Sequence, residues 1–209
     1  MKITSLTLSR FHKLFIYSLV ILFCSCTSEE AGGKDESESD ASTGGVSQAL
    51  HLSFKTPDWE QHIDCEKLDL FPNAINDSTY TVSASSASTR ETFVFSYPKT
   101  TAKMLKAKIS LKHKITEFGS NEEPFQFSQK LPLNASSIED TSKRLVSAKG
   151  LSDSEFNQVV KVELLGSEQN YDLFKVICKY QMKAYLVTDP TTIKTITGTF
   201  AFKVRTSKN

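Results

Sequence analysis

Between residues 173 and 187 the chain alternates over a long stretch. Phe174, Val176, Cys178, Tyr180, Met182, Ala184 and Leu186 fall on one face, with Lys175, Lys179, Gln181 and Lys183 on the other. Successive side chains of an extended backbone leave on opposite sides, so a period of two predicts a half-buried strand. Thr188-Asp189-Pro190-Thr191 then supplies turn chemistry, proline fixing φ and aspartate bonding nearby backbone. Ile196, Phe200, Phe202 and Val204 share a face beyond it, and 173–187 with 192–205 predicts a long hairpin.

Shorter stretches repeat the theme. Ala107, Ile109, Leu111, His113 and Ile115 alternate with Lys106, Lys108, Ser110, Lys112 and Lys114; Phe93 and Phe95 alternate within 92–97; Val160, Val162 and Leu164 precede Gly166. Residues 50–55, 80–85 and 125–131 are further strand candidates. One helix is expected among them, because Ser136 and Glu139 have capping-box spacing, Ile138, Leu145 and Val146 line one side, and Gly150 suits a stop. About eight to nine strands with one short helix predict a mainly β fold, an antiparallel β-sandwich or a lipocalin-like half-open barrel. No internal repeat points to a solenoid or propeller.

The front of the chain follows other rules. Lys2, Arg10 and Lys13 precede an apolar run, 14–23, which as a helix would rise only about 15 Å, half of a bilayer's hydrocarbon core. That length suits a cleaved signal peptide better than a permanent span. The run ends in Phe23-Cys24-Ser25-Cys26, and only Cys26 has a small residue before it. This tetrapeptide resembles the lipobox of bacterial lipoproteins, with Phe23 in place of the usual leucine and Cys24 at the second position. The resemblance implies that Cys26 becomes the acylated N-terminus and that Cys24 is discarded. Residues 27–48 carry six acids against Lys34 and one sizeable apolar residue, Val46, a composition that predicts a disordered tether. Its acidic start, Glu29-Glu30 and Lys34-Asp35-Glu36, is similar to the export signals of surface lipoproteins of the Bacteroidota. The expected organisation is a signal peptide over 1–25, an acylated cysteine and acidic tether over 26–48, and a single β-rich domain over 49–209.

Charge and chemistry narrow the function. The full chain has a formal charge of +1, far from the clustered basic surface that a nucleic-acid partner requires. Cys65 and Cys178 remain after processing, either as a disulfide closing a long loop, worth about 4 to 5 kcal/mol, or as two buried thiols. If extended, Asp58-Trp59-Glu60-Gln61-His62-Ile63-Asp64-Cys65-Glu66 sets four carboxylates and His62 on one side. Same-face neighbours step by roughly 7 Å, so they converge on no ion unaided, and an edge strand's solvent face is the expected role. His51, His62 and His113 lack any zinc spacing, and no metal or cofactor is expected. No GxSxG or phosphate loop occurs, and Ser96-Tyr97-Pro98-Lys99 lacks the companion motifs of SxxK enzymes. Asp77-Ser78-Thr79 is similar to the O-glycosylation sequon of the Bacteroidota, which would make Ser78 the acceptor. The lysines of 103–114 are expected to guard a strand edge rather than to bind an anionic lipid or glycan. Tyr80, Tyr97, Tyr171 and Tyr185 are candidates for an aromatic platform.

The reading at this level is a non-catalytic binding or structural lipoprotein of the outer membrane, at the cell surface or on the periplasmic face, the acidic tether favouring the surface. Its expected partner is a protein, a glycan or a small ligand, besides the membrane itself. The alternatives are a hydrolase with a dispersed active site and a lipocalin-like carrier of a small apolar molecule.

Overall fold

A computed structural model describes residues 45–209; Cys26, the signal segment and nearly all of the acidic stretch lie outside the described residues. Eleven strands form one antiparallel sheet. They are β1 (His51–Lys55), β2 (Glu60–Asp64), β3 (Asn73–Ala74), β4 (Thr79–Ser85), β5 (Thr92–Pro98), β6 (Lys112–His113), β7 (Phe127–Pro132), β8 (Arg144–Ser147), β9 (Phe156–Ser167), β10 (Tyr171–Leu186) and β11 (Asp189–Ser207). The main path runs β2-β1-β11-β10-β8-β7-β5-β4-β3. The sheet forks at β10, which pairs with β9 over Asp172 to Gln181 and with β8 over Ala184 to Leu186. Register shifts in the β9–β10 ladder bend it, as an extra residue on one strand does.

The sheet curls until β5 lies across β11. Phe93 stacks on Phe202 at 4.4 Å and Phe95 meets Phe200 edge-on at 5.1 Å. At one corner the backbones touch, the Ser207 amide donating to the Lys99 carbonyl at 2.8 Å. The end strands β2 and β3 do not pair with each other, so the sheet stays open. This is the mainly β, antiparallel, half-open architecture expected of the alternating pattern.

Alternation explains what fills the interior. Phe174, Val176, Cys178, Tyr180, Met182 and Ala184 of β10 are all buried, and so are Phe200, Phe202 and Val204 of β11. Phe127, Phe200 and Phe202 stack in series, at 4.9 and 4.5 Å, and Tyr180 leans on Phe127 at 4.6 Å. Each fully buried phenylalanine contributes roughly 1.5–3 kcal/mol. Tyr180 lies directly across Gly198, where a Cβ would stand 2.2 Å from the Ser53 carbonyl oxygen and 2.6 Å from the tyrosine ring. Only glycine permits that close approach.

Two expectations are corrected. The helix over 136–150 is absent: residues Ala135–Ser137 make a 3-10 turn boxed by Asn134 and Ser137, and Arg144–Ser147 is a fully buried strand between β7 and β10. Glu139 pairs instead with Arg90, and Asp140 caps a turn by accepting from the Ser142 amide and hydroxyl. The short helix is Thr101–Met104. It ends just before the segment expected to form a strand over 106–115, of which Lys112–His113 pairs with β9 and Ile115 makes single bridges to Phe127 and Gly150. Ser110 has φ 69°, which breaks an extended course.

Val46, within the expected tether, is buried against Ile177 and Ala201 on the outer face of the sheet. Next to it the Gln48 side-chain oxygen accepts from Lys161.

Candidate functional site

A broad concavity lies on the outer face of β2, β1, β11, β10 and β9. Because Ile196 and Phe200 point inward, Thr197 and Thr199 point outward, and register carries the same polarity across the sheet. Thr199 stands between Ser53 and Lys179, with His62 beyond Ser53; Thr197 stands between Lys55 and Gln181, with Glu60 beyond Lys55 and Phe156 beyond Gln181. The result is an open groove of about 730 Å³. Its walls carry hydroxyls, amides, a carboxylate, imidazole and ammonium groups, with Phe54, Phe156 and Tyr180 as its aromatic residues.

At one end the structure brings His51 and His62 together, their rings stacked at 5.2 Å and 12°. His51 Nδ1 lies 2.8 Å from the Ala49 carbonyl, which only accepts, so Nδ1 carries the proton and Nε2 accepts from the Thr199 hydroxyl at 2.8 Å. Ser53 Oγ is 2.8 Å from Thr199 Oγ1 and accepts from the Thr199 amide at 3.2 Å. Burial holds the His51 pKa below its usual value; the Ala49 bond opposes this and His62 adds to it. A serine nucleophile needs its base on its own hydroxyl and a third group orienting that base. Here Thr199 intervenes and a backbone carbonyl orients the histidine, so this network ties β1 to β11 and presents fixed donors and acceptors.

The remaining predicted positions serve the fold. On the rim strand β2, Glu60, His62 and Asp64 are exposed. Asp58 pairs with Lys194, Asp64 accepts from the Glu66 amide at 2.8 Å and Glu66 from the Leu50 amide at 3.0 Å. Among the described residues no three of His, Cys, Asp and Glu gather to hold a metal. Cys65 and Cys178 are both free and buried, the second of the two alternatives. Burial, then Asp64 and Glu91, push the Cys65 thiol up to about 11. Cys178 is pushed higher still by burial, and its sulfur accepts from Asn157 at 3.7 Å. Ser78 is half-buried in a turn, its hydroxyl donating to Asn76 Oδ1 at 2.9 Å. The Ser96 hydroxyl is buried and donates to the Glu123 carbonyl at 2.6 Å. Tyr80 and Tyr97 are buried against one another, which removes them from any surface platform.

The lysine-rich segment is more exposed than a guarded strand would be. Leu105, Ile109 and Leu111 are 62%, 50% and 48% exposed. They alternate with Lys103, Lys106 and Lys108 in an irregular loop secured to β9 by the Ser110 amide, which donates to the Val159 carbonyl at 2.8 Å.

One group went unread in the sequence. Glu91 shares the parity of Phe93, Phe95 and Tyr97, a signal that it points inward, and it is 1% exposed. Burial raises its carboxyl well above the usual range, favouring the neutral acid. It meets Gln129, whose side-chain oxygen accepts from the Tyr180 hydroxyl at 3.0 Å.

Comparison of the chain with protein-family models, with curated proteins and with solved structures found no match.

Proposed function

We propose that the protein is a lipid-anchored, non-catalytic binding module of the cell envelope, held at the outer membrane through acylated Cys26, whose outer-face groove takes an extended, hydroxyl-rich partner of the glycan class. The observation that carries this reading is the groove itself. Hydroxyls of Ser53, Thr197 and Thr199, the amide of Gln181 and the ring of Phe156 line one open trough. Such a surface matches a polymer that offers many hydroxyls and some apolar ring faces, and it is too open to enclose a small substrate. The aromatic stack occupies the space where a lipocalin-like carrier would hold its cargo.

The membrane half of the reading has its own support. Among the described residues no helix is long and apolar enough to cross a membrane. The exposed Leu105, Ile109 and Leu111 among lysines suit the surface of an anionic bilayer, where basic groups meet headgroups and aliphatic ones the acyl boundary.

Two experiments test the two halves. Cys26→Ser should move the protein from the membrane fraction to the soluble one; a variant that still partitions as lipid-bound overturns the anchor. Titration with neutral and uronic-acid oligosaccharides should shift the amide resonances of Ser53, Gln181, Thr197 and Thr199 saturably. If no saccharide of either class moves them, the groove reading is wrong.

A further inference from the structure

The two rims of the open sheet approach each other without pairing. On one side stand Ile63 of β2 and, in the loop behind it, Cys65 and Leu68. On the other stand Ala84 of β4 and the turn before β5. Strand β3 covers β4 only at Tyr80 and Thr81, so the end of β4 has no strand on that side among the described residues. Between the rims lies a cleft of about 330 Å³, floored by Leu52 and Phe93, with Glu91 in its wall.

Besides that acid, the polar groups of the lining are Asp64 at the mouth and Ser85, Ser86 and Ser88 of the turn; the rest is apolar. Gln129 has its side-chain oxygen committed to Tyr180, so its NH₂ faces Glu91 and donates to Oε1. Glu91 Oε2 is buried and has no hydrogen-bond partner among the described residues. No lysine or arginine lines the cleft, and a carboxylate left there without a cation would cost far more than a neutral acid. In the neutral acid Oε1 accepts from Gln129, and the proton therefore sits on Oε2, a donor with nothing to donate to. Leaving such a donor unpaired is costly, and an aliphatic side chain at this position would avoid it.

We propose that this seam cleft is a binding site for a small neutral molecule with an apolar body and an oxygen acceptor at one end, the acceptor bonded by the Glu91 hydroxyl once the side chains that cover Oε2 part. The body lies against Leu52, Ile63, Leu68 and Phe93. The volume falls at the low end of ligand pockets, roughly 300–1,000 Å³, and is too small for a peptide strand closing the sheet. Anionic amphiphiles are disfavoured because Asp64 stands at the mouth and no basic group lines the cleft. Cationic ones would have to shed their hydration and ionise a buried acid together.

The test uses the purified protein and three eight-carbon probes, 1-octanol, octanoate and octylammonium, with the amide resonances of Cys65, Ala87, Glu91 and Phe93 as readout at pH 7. Octanol should shift them saturably, with the two ions binding at least about tenfold more weakly. Glu91→Leu should weaken octanol binding about tenfold, while Glu91→Gln, which keeps a donor, should hold it within about threefold. No saturable shift with any probe, tightest binding by octylammonium, or unchanged octanol affinity in Glu91→Leu overturns the proposal. The comparison of head groups is made on the unaltered protein, so it stands even if Glu91→Leu does not fold. Its readout is at the seam and that of the glycan reading on the outer face, so either can fail alone.

Discussion

Strand β9 has two neighbours, and they are held very differently. On one side β10 pairs with it from Asp172 to Gln181 and then continues between β8 and β11. On the other, only Lys112 and His113 of the lysine-rich segment reach the ladder. Both neighbours alternate apolar and basic side chains, yet every inward residue of β10 from Phe174 to Ala184 is buried, whereas Ile109 and Leu111 are half exposed. The difference teaches that alternation alone does not bury a face: β10 is clamped between partners along its length, and the lysine segment is not. Past β9 the lysine segment gains other backbone partners only at its end, where Ile115 bridges Gly150 and Phe127, and Ser110 at positive φ turns its middle away.

The contrast can be broken from the strong side first. Phe174→Ala should cost about 3–5 kcal/mol in denaturant unfolding, because the side chain is fully buried in a packed interior. A loss below about 1 kcal/mol would mean that β10 is not the spine of the core.

Within the weak neighbour, Ile115 is the residue that does enter the core. Ile115→Ala should cost about 2–4 kcal/mol, whereas the preceding alternating positions should not. Equal costs at Ile109 and Ile115 would erase the distinction between loop and interior.

A pH profile sharpens the boundary between them. Burial lowers the His113 pKa below its ordinary 6.5, with Glu123 opposing, and His51 is lowered in the same sense. With the folded value depressed, the unfolded chain takes up protons first. Stability is therefore whole above about pH 6.5 and falls as the pH drops through it. His113→Gln should flatten part of this acid loss and leave the His51 part. An unchanged profile would place His113 in solvent.

The smallest effects belong to the exposed aliphatics. Ile109→Ser and Leu111→Ser should each change stability by less than about 0.5 kcal/mol, while reducing binding to anionic vesicles. A clear loss of stability would mean that the loop packs more tightly than its exposure indicates.

What the sequence disclosed follows the same division. The long hairpin was legible because Phe174 to Leu186 and Ile196 to Val204 alternate without competing signals. The turn was displaced slightly: Val187 and Thr188 make it, while Asp189 accepts from the Thr191 amide at 3.2 Å and opens the next strand. The helix over 136–150 was misread because Ser136 and Glu139 have the right spacing but Asn134 holds the cap, and Leu145 and Val146 are drawn into the sheet. Edge behaviour in β2 was legible from its alternating acids. The groove was not, since Ser53, Thr199, Gln181 and Phe156 become neighbours only through long-range register. Glu91 was legible in parity with Phe93 and Phe95, had an acid in an apolar frame been read as a choice rather than as a strand boundary.

The position of β1 has a mechanical consequence. It runs between β11 and β2 rather than along a rim, paired to each over its whole length. Traction on the leading end of the domain, which is where the proposed attachment at Cys26 would deliver it, has to slide β1 past both flanking strands at once. Load is then shared along two ladders instead of snapping rungs in turn, and the domain resists shear where it would otherwise peel.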